Sequence, residues 1–356
     1  MANLCVDISE RYRSIEMSVS EFKKKYDLFS CSTRNDASLR QQAHQQMGII
    51  KKEISAFQEL LRPYKIIEFY GQRLCTGQSL AVQKLLDEVN EIRTESHSGR
   101  GSDRVVEMEW LMQYLTVERG RIRSISLSSL HLSRVPHAIN GLRYLNRLDL
   151  SQNKIEEIEN LEGLESLELV NLRDNSLETL TGLESLKNLK QLIVSKNDIQ
   201  EIAHLENLSQ LTRLVIDQNY SIWNLSGLAP LVNLEELSLS ETSISTLAGI
   251  ERIRALKRLF LDFTPIAKLD ELQAMTQLET VSLCGTKVQS VAPLANCRNL
   301  KELYLRNSKF NRLLELDPFD FLEALSISGC TLAFSKITTK KLRYWRDKLK
   351  SRFIEK

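Results

Sequence analysis

The chain lacks most of the sequence features that announce chemistry. No stretch approaches 18 consecutive apolar residues, and Met1 to Glu10 do not carry a basic run followed by an apolar core. Neither membrane insertion nor signal-directed export is therefore expected. Five histidines (His44, His97, His131, His137, His204) and six cysteines (Cys5, Cys31, Cys75, Cys284, Cys297, Cys330) are scattered, without a Cys-x-x-Cys pair or a close His/Cys cluster. That spacing excludes the usual zinc sites and points to reduced thiols in a reducing, cytoplasmic setting. A Walker loop, a dinucleotide glycine fingerprint, a Gly-x-Ser-x-Gly elbow and a His-Glu-x-x-His pair are all missing, so no catalytic, cofactor-binding or metal-binding residue is assigned and no cofactor is expected. An excess of one charge is missing too. The 48 Lys+Arg and 46 Asp+Glu leave a net +2, too small a field to mark a nucleic-acid binder.

Leucine at a fixed period is what the chain has in abundance. From about residue 122 the unit L-x-x-L-x-L-x-x-N-x-I-x-x-I returns every 22 or 23 residues: Leu145, Leu148, Leu150, Asn153, Ile155 and Ile158, then Leu167, Val170, Leu172, Asn175, Leu177 and Leu180, then Leu189, Leu192, Val194, Asn197, Ile199 and Ile202. At this spacing the asparagine slot falls on Leu130, Asn153, Asn175, Asn197, Asn219, Thr242, Thr264, Thr286, Ser308 and Cys330, which makes ten repeats. The two 23-residue intervals, before Asn153 and after Asn219, each imply a one-residue bulge in a turn.

The alternation L-x-L predicts a short strand with leucines on one face. Apolar residues every third position afterwards (Ile155, Ile158, Leu161, Leu164) predict a 3₁₀ or extended return. A buried Asn amide in the turn can serve carbonyls of the neighbouring coil, and Thr, Ser and Cys offer fewer donors, so the turn is expected to differ in the C-terminal half.

Over roughly residues 120 to 333 this pattern resembles the leucine-rich-repeat superfamily, in its short class shared with bacterial internalins and a regulatory subunit of protein phosphatase one. The resemblance implies a solenoid with a parallel sheet on its concave face and a task of protein recognition.

Residues 1–95 have a different period. Ile8, Tyr12, Ile15, Val19, Phe22, Tyr26 and Phe29 are spaced 4-3-4-3-4-3, and Leu39, Ala43, Met47, Ile50, Ile54, Phe57 and Leu61 form a second stripe ended by Pro63. Cys31 to Ala37 reads as the loop of a helical hairpin. Segments 64–74 and 80–92 would complete a four-helix bundle; homodimerisation through residues 1–62 is the rival. Residues 96–103 read as a linker, 104–118 as an N-terminal capping helix, 119–333 as the solenoid and 334–356 as a basic capping helix. Within it, over Ile337 to Phe353, Leu342, Trp345, Leu349 and Phe353 form a stripe among seven lysines and arginines. Such a helix can touch acidic lipid or nucleic acid, but a terminal cap with solvated cations is the reading adopted. The expected fold class is α+β: a helical bundle or hairpin, then a ten-repeat solenoid with helical caps.

The middle residue of each L-x-L faces outward: Ser126, Asp149, Asn171, Ile193, Val215, Ser238, Phe260, Ser282, Tyr304 and Ser326. Four of these are large and apolar or aromatic. With flanking positions, the expected partner-binding set is Ile193, Arg213, Val215, Arg258, Phe260, Asp262, Phe263, Glu302, Tyr304 and Arg306, a composition typical of interface hot spots. Trp223, beside the second insertion, is a lesser candidate that can simply pack its turn. The expected function is a non-catalytic adaptor that binds a protein on the concave face. Two alternatives stand beside it: a bacterial effector acting in a host cytosol on a host protein, and an enzyme with an unrecognised site in residues 1–95.

Overall fold

The computed structural model describes residues 45, 48–49, 51–52, 55, 66–69, 72–96, 105–319, 321–332 and 336–354, in two compact units, Met1–Leu80 and Ala81–Lys356. In the first unit, Gln45, Gly48, Ile49, Lys51, Lys52 and Ser55 are helical, within the second predicted stripe. The first stripe, the loop and the proposed dimer contact otherwise lie outside the described residues. Residues 64–74 depart from the expected helix. β1 (Ile66–Phe69) and β2 (Gln72–Cys75) pair antiparallel, with Ile66 opposite Cys75 and Phe69 opposite Gln72. Two adjacent isoleucines and a phenylalanine favour the pleated surface, and Gly71 interrupts any helical run.

Helix α1 (Thr76–Ser96) follows. From Ala81 onward its residues belong to the second unit, and Val82, Leu85, Val89 and Ile92, at helical spacing, are fully buried. Three polar contacts fix it there. The Glu88 carboxylate accepts the N–H groups of His137 and Ala138 at 2.6 and 2.7 Å. Glu95 pairs with Arg134 at 2.6 Å, and the Asn90 amide exchanges two hydrogen bonds with the Val106 backbone. Residues 81–95, expected to stand in a separate helical module before a linker, thus cap the solenoid. Carboxylates on the polar face of α1 choose backbone donors of the first coil, a preference invisible in heptad spacing.

The expected capping helix over 104–118 is shorter. α2 spans Met108–Gln113, and β3 (Leu115–Glu118) then turns at Arg119-Gly120, both at positive φ, to pair antiparallel with β4 (Arg121–Ser126). Alternating Leu115, Val117, Ile122 and β-favouring Thr116 and Ile125 make a hairpin cheaper than a longer helix. From β4 the sheet grows in parallel and in sequence order through β5 (Arg147–Asp149), β6 (Leu169–Asn171), β7 (Gln191–Ile193), β8 (Arg213–Val215), β9 (Glu236–Ser238), β10 (Arg258–Phe260), β11 (Thr280–Ser282), β12 (Glu302–Tyr304), β13 (Ala324–Ser326) and β14 (Phe353–Ile354). The central residue of each strand, leucine or valine, is buried from Leu148 to Leu325, stacked in register upon its neighbours. Returns run extended or through short 3₁₀ turns, such as Asp270–Ala274 and Ala292–Asn296.

The slot residues hold successive coils together. Asn175, Asn197 and Asn219 accept N–H groups of Ile155, Leu177 and Ile199 at 3.0, 3.0 and 3.1 Å. Their amide nitrogens donate to the carbonyls of Leu150, Leu172 and Val194 in the preceding coil, each at 3.0 Å. Thr242, Thr264 and Thr286 instead donate within their own coil, to Leu239, Leu261 and Leu283 at 2.7 Å. The expected change of turn is therefore, at these three threonines, a loss of the bonds between coils, while the bond within the coil, which Asn175, Asn197 and Asn219 also make to Leu172, Val194 and Ile216, is kept. One position earlier, every coil has a residue with φ above zero: Ser129, Gln152, Asp174, Lys196, Gln218, Glu241, Phe263, Gly285, Asn307 and Gly329.

At the far end α3 (Lys336–Leu349) buries Trp345 to 1% exposure and Leu349. Lys341 pairs with Asp317 and Arg352 with Glu323, while β14 adds to β13. The basic helix thus packs against the last coils.

Candidate functional site

The outward residues of the strands form columns, because the ladders join equivalent positions: Arg213 with Glu236, Glu236 with Arg258, Arg258 with Thr280, Thr280 with Glu302. In that column Glu236 is gripped from both sides. Arg213 Nε donates to its Oε1 at 2.6 Å and Arg258 Nε to its Oε2 at 2.8 Å, with the carboxylate side chain only 14% exposed. Burial alone would raise the Glu236 carboxyl, but the two arginines outweigh it and hold it below the usual value. Arg213 and Arg258, both in the expected partner-binding set, are thus engaged within the sheet. Glu236 escaped the sequence reading, although its place 23 residues after Arg213 and 22 before Arg258 puts it between them.

The next column holds Ile193 and Val215 on adjacent strands, then Ser238, Phe260, Ser282, Tyr304 and Ser326 in register. The serines point outward yet are only 8, 4 and 4% exposed, whereas Phe260 and Tyr304 remain half-exposed. From Ser238 to Ser326 large side chains alternate with small ones. Burial pushes the Tyr304 hydroxyl above its usual value, and Glu302 beside it adds to the shift. Glu302 also accepts from Thr280 at 3.2 Å.

In the third column Asp262 accepts the Ser282 hydroxyl at 2.5 Å and the Cys284 N–H at 2.8 Å. Asp217 does the same for Ser238 and Ser240, and burial raises its carboxyl, with Asp262 adding to that. Asp262 is therefore an internal tie of the sheet. Arg306 is exposed beyond it. Phe263, expected on the same face, is not on β10. It occupies the left-handed position of its turn, 62% exposed, with its ring over Gly285. Only the repeated positive φ one place before the slot reveals this, and the residue types there (Gln, Asp, Lys, Glu) hide it.

Chemical reactivity finds little support in this arrangement. Burial raises the thiols of Cys284, Cys297 and Cys330, that of Cys297 to about 11, which disfavours the nucleophilic thiolate. Among the described residues no group of three or more His, Cys, Asp or Glu is placed to hold a metal ion, and no helix is long and apolar enough to cross a membrane.

A family model described as leucine-rich repeat matches residues 125–254. No curated protein matches the sequence. The fold is similar to an internalin from Listeria monocytogenes (21% identity, 73% of each chain covered, TM-score 0.56) and to a leucine-rich-repeat protein of Leptospira interrogans (24%, 66% of this chain and 60% of that one, 0.57). It is also similar to the ectodomain of a plant membrane receptor kinase from Arabidopsis thaliana solved in complex with Casparian strip integrity factor 2 (20%, 76% of this chain and 34% of that one, 0.55).

Proposed function

We propose that this protein, whose residues 125–254 match a leucine-rich-repeat family model, is a binding module that holds a protein partner on the outward face of its sheet. The observation that carries the reading is the column Ile193, Val215, Phe260 and Tyr304: large apolar and aromatic groups, half-exposed, on a scaffold whose backbone is fixed coil by coil. A rigid aromatic strip loses little conformational freedom on binding, which favours its use as an anchor. Arg306 supplies an exposed cation beside the strip, and the clamp of Glu236 with Arg213 and Arg258, together with Glu302, shapes its rim. The receptor-kinase ectodomain, solved in complex with its factor, is a neighbour in fold whose structure includes a ligand, and the adaptor role is an extension of that kind of recognition. Binding of this type needs no titratable site, in keeping with the raised thiols of Cys284, Cys297 and Cys330.

The test is selection of peptide binders from a displayed random library on the full chain, followed by titration of the selected peptides against a Phe260→Ala/Tyr304→Ala variant. Two anchors at about 1–2 kcal/mol each predict a loss of roughly 30-fold or more at an unchanged melting transition. Equal affinity for the folded variant would overturn the reading.

A further inference from the structure

A second surface lies off the sheet, on the turns of coils five to seven. Tyr220 is 64% exposed, Trp223 66% and Phe263 62%, three of the largest exposed apolar side chains of the solenoid. They follow from local irregularities. The residue inserted after Asn219 displaces the return by one place, so Ile222 takes the buried position and leaves Tyr220 and Trp223 on either side of it in the open. Phe263 is a bulky residue at the left-handed position that polar residues or glycine fill in the other coils.

Glu241 links these coils. Its carboxylate accepts from Gln218 at 3.1 Å and from the Tyr220 hydroxyl at 3.4 Å, and it occupies in coil six the position that Phe263 occupies in coil seven. Around Tyr220, Trp223 and Glu241 acidic residues predominate, bounded by Lys196 on one side and Arg252 on the other. Residues 197–251 contain eight Asp and Glu and one Lys or Arg, Arg213, and that arginine is engaged by Glu236. Asp198, Glu201 and Glu206 on the adjoining coil are exposed. Exposed indole and phenol faces attract ammonium and guanidinium groups through their ring quadrupoles, and nearby carboxylates add to that attraction.

We propose that the turn edge formed by Tyr220, Trp223, Glu241 and Phe263 is a second docking surface, for an arginine- or lysine-bearing segment of a partner protein. The arginine side chains would stack on Trp223 and Tyr220, with Glu241 as the paired carboxylate. The sheet face and this edge are separate, so a partner can engage either alone.

The probe is a fluorescent nonapeptide of alternating arginine and serine, titrated by anisotropy against the full chain at about 0.05 and 0.15 M salt. The control peptide has glutamine for arginine. The expected results are binding of the arginine peptide alone and a loss of affinity of about ten-fold in Trp223→Ala. Glu241→Gln is expected to weaken binding mainly at low salt, and Phe260→Ala/Tyr304→Ala to leave it unchanged. Three outcomes overturn the proposal: no binding of the arginine peptide, equal binding by folded Trp223→Ala, or self-association of the peptide-free chain that Trp223→Ala abolishes, since the surface would then belong to a second copy. Loss of binding in the Phe260/Tyr304 variant as well would assign the peptide to the sheet face, which rejects this edge and leaves the first reading standing.

Discussion

Replacing Asn197 by Thr installs in coil four the slot chemistry of coils six to eight. The new hydroxyl can donate to Val194, as Thr264 does to Leu261, but two bonds to the preceding coil disappear. The Leu177 N–H, which donates to Asn197 Oδ1 at 3.0 Å, loses its acceptor in a site only 5% exposed. A buried donor left without a partner costs about 1–3 kcal/mol. The Leu172 carbonyl loses the Asn197 donor at 3.0 Å but keeps that of Asn175, also at 3.0 Å, so its share is about 0.5 kcal/mol, the low end for a net hydrogen bond. The expected destabilisation is about 1.5–3.5 kcal/mol. Thr264→Val is the control. It removes a hydroxyl that bonds only within its own coil, from a carbonyl that also accepts the Thr264 N–H at 3.3 Å, and should cost about 0.5–1.5 kcal/mol. Urea unfolding followed by circular dichroism measures both, with the slope compared to detect a transition that splits along the solenoid. An Asn197→Thr cost below about 1 kcal/mol, or no larger than that of Thr264→Val, would refute the bridging account.

Other expectations follow from single sites. A Cβ at Gly227 would lie 1.4 Å from the Ile202 carbonyl oxygen, so Gly227→Ala must move backbone; a drop in the thermal midpoint is expected, and an unchanged midpoint would show that the coils separate freely. Cys297, 2% exposed with its thiol pushed up to about 11, should resist iodoacetamide at pH 8 in the native chain and react in urea; rapid native labelling counts against that packing. Glu236 has a folded value held below its unfolded 4.5, so its stabilisation is complete above that pH and fades as pH falls through the lower folded value. The stability gap between wild type and Glu236→Gln should therefore narrow in acid, and a gap constant from pH 7 to pH 3 would deny the arginine clamp its role.

The sequence made the solenoid plain because each coil repeats the same burial problem. Leu148 and Leu150 must face inward together, and a 22-residue return stacks them on Val170 and Leu172. It also pointed to the Asn-to-Thr change at the slot, since donor counts can be read from residue type. The ends were less legible. Nothing in Tyr64 to Leu74 separates a short amphipathic helix from a hairpin except the strand preference of Ile66, Ile67 and Phe69, and the docking of α1 depends on Glu88 meeting two N–H groups some fifty residues away. At the candidate site, alternation told which residues point outward but not which already have partners. Arg213, Arg258 and Asp262 are occupied by neighbours 20 to 23 residues distant. Phe263 left the strand because its backbone is left-handed, a state that single-residue propensities assign to glycine and asparagine.

The hairpin of β3 and β4 stands apart from the rest of the second unit in how near in sequence its strands lie. Only Arg119 and Gly120 separate them, whereas neighbouring strands from β4 to β13 must close loops of about twenty residues. With closure entropy growing as the logarithm of loop length, the hairpin forms at an advantage of roughly 2 kcal/mol. During synthesis it is also the first part of the sheet to emerge. Folding can therefore proceed in one direction, each coil zipping onto an edge already in place, so that a nascent chain exposes one open edge at a time instead of many.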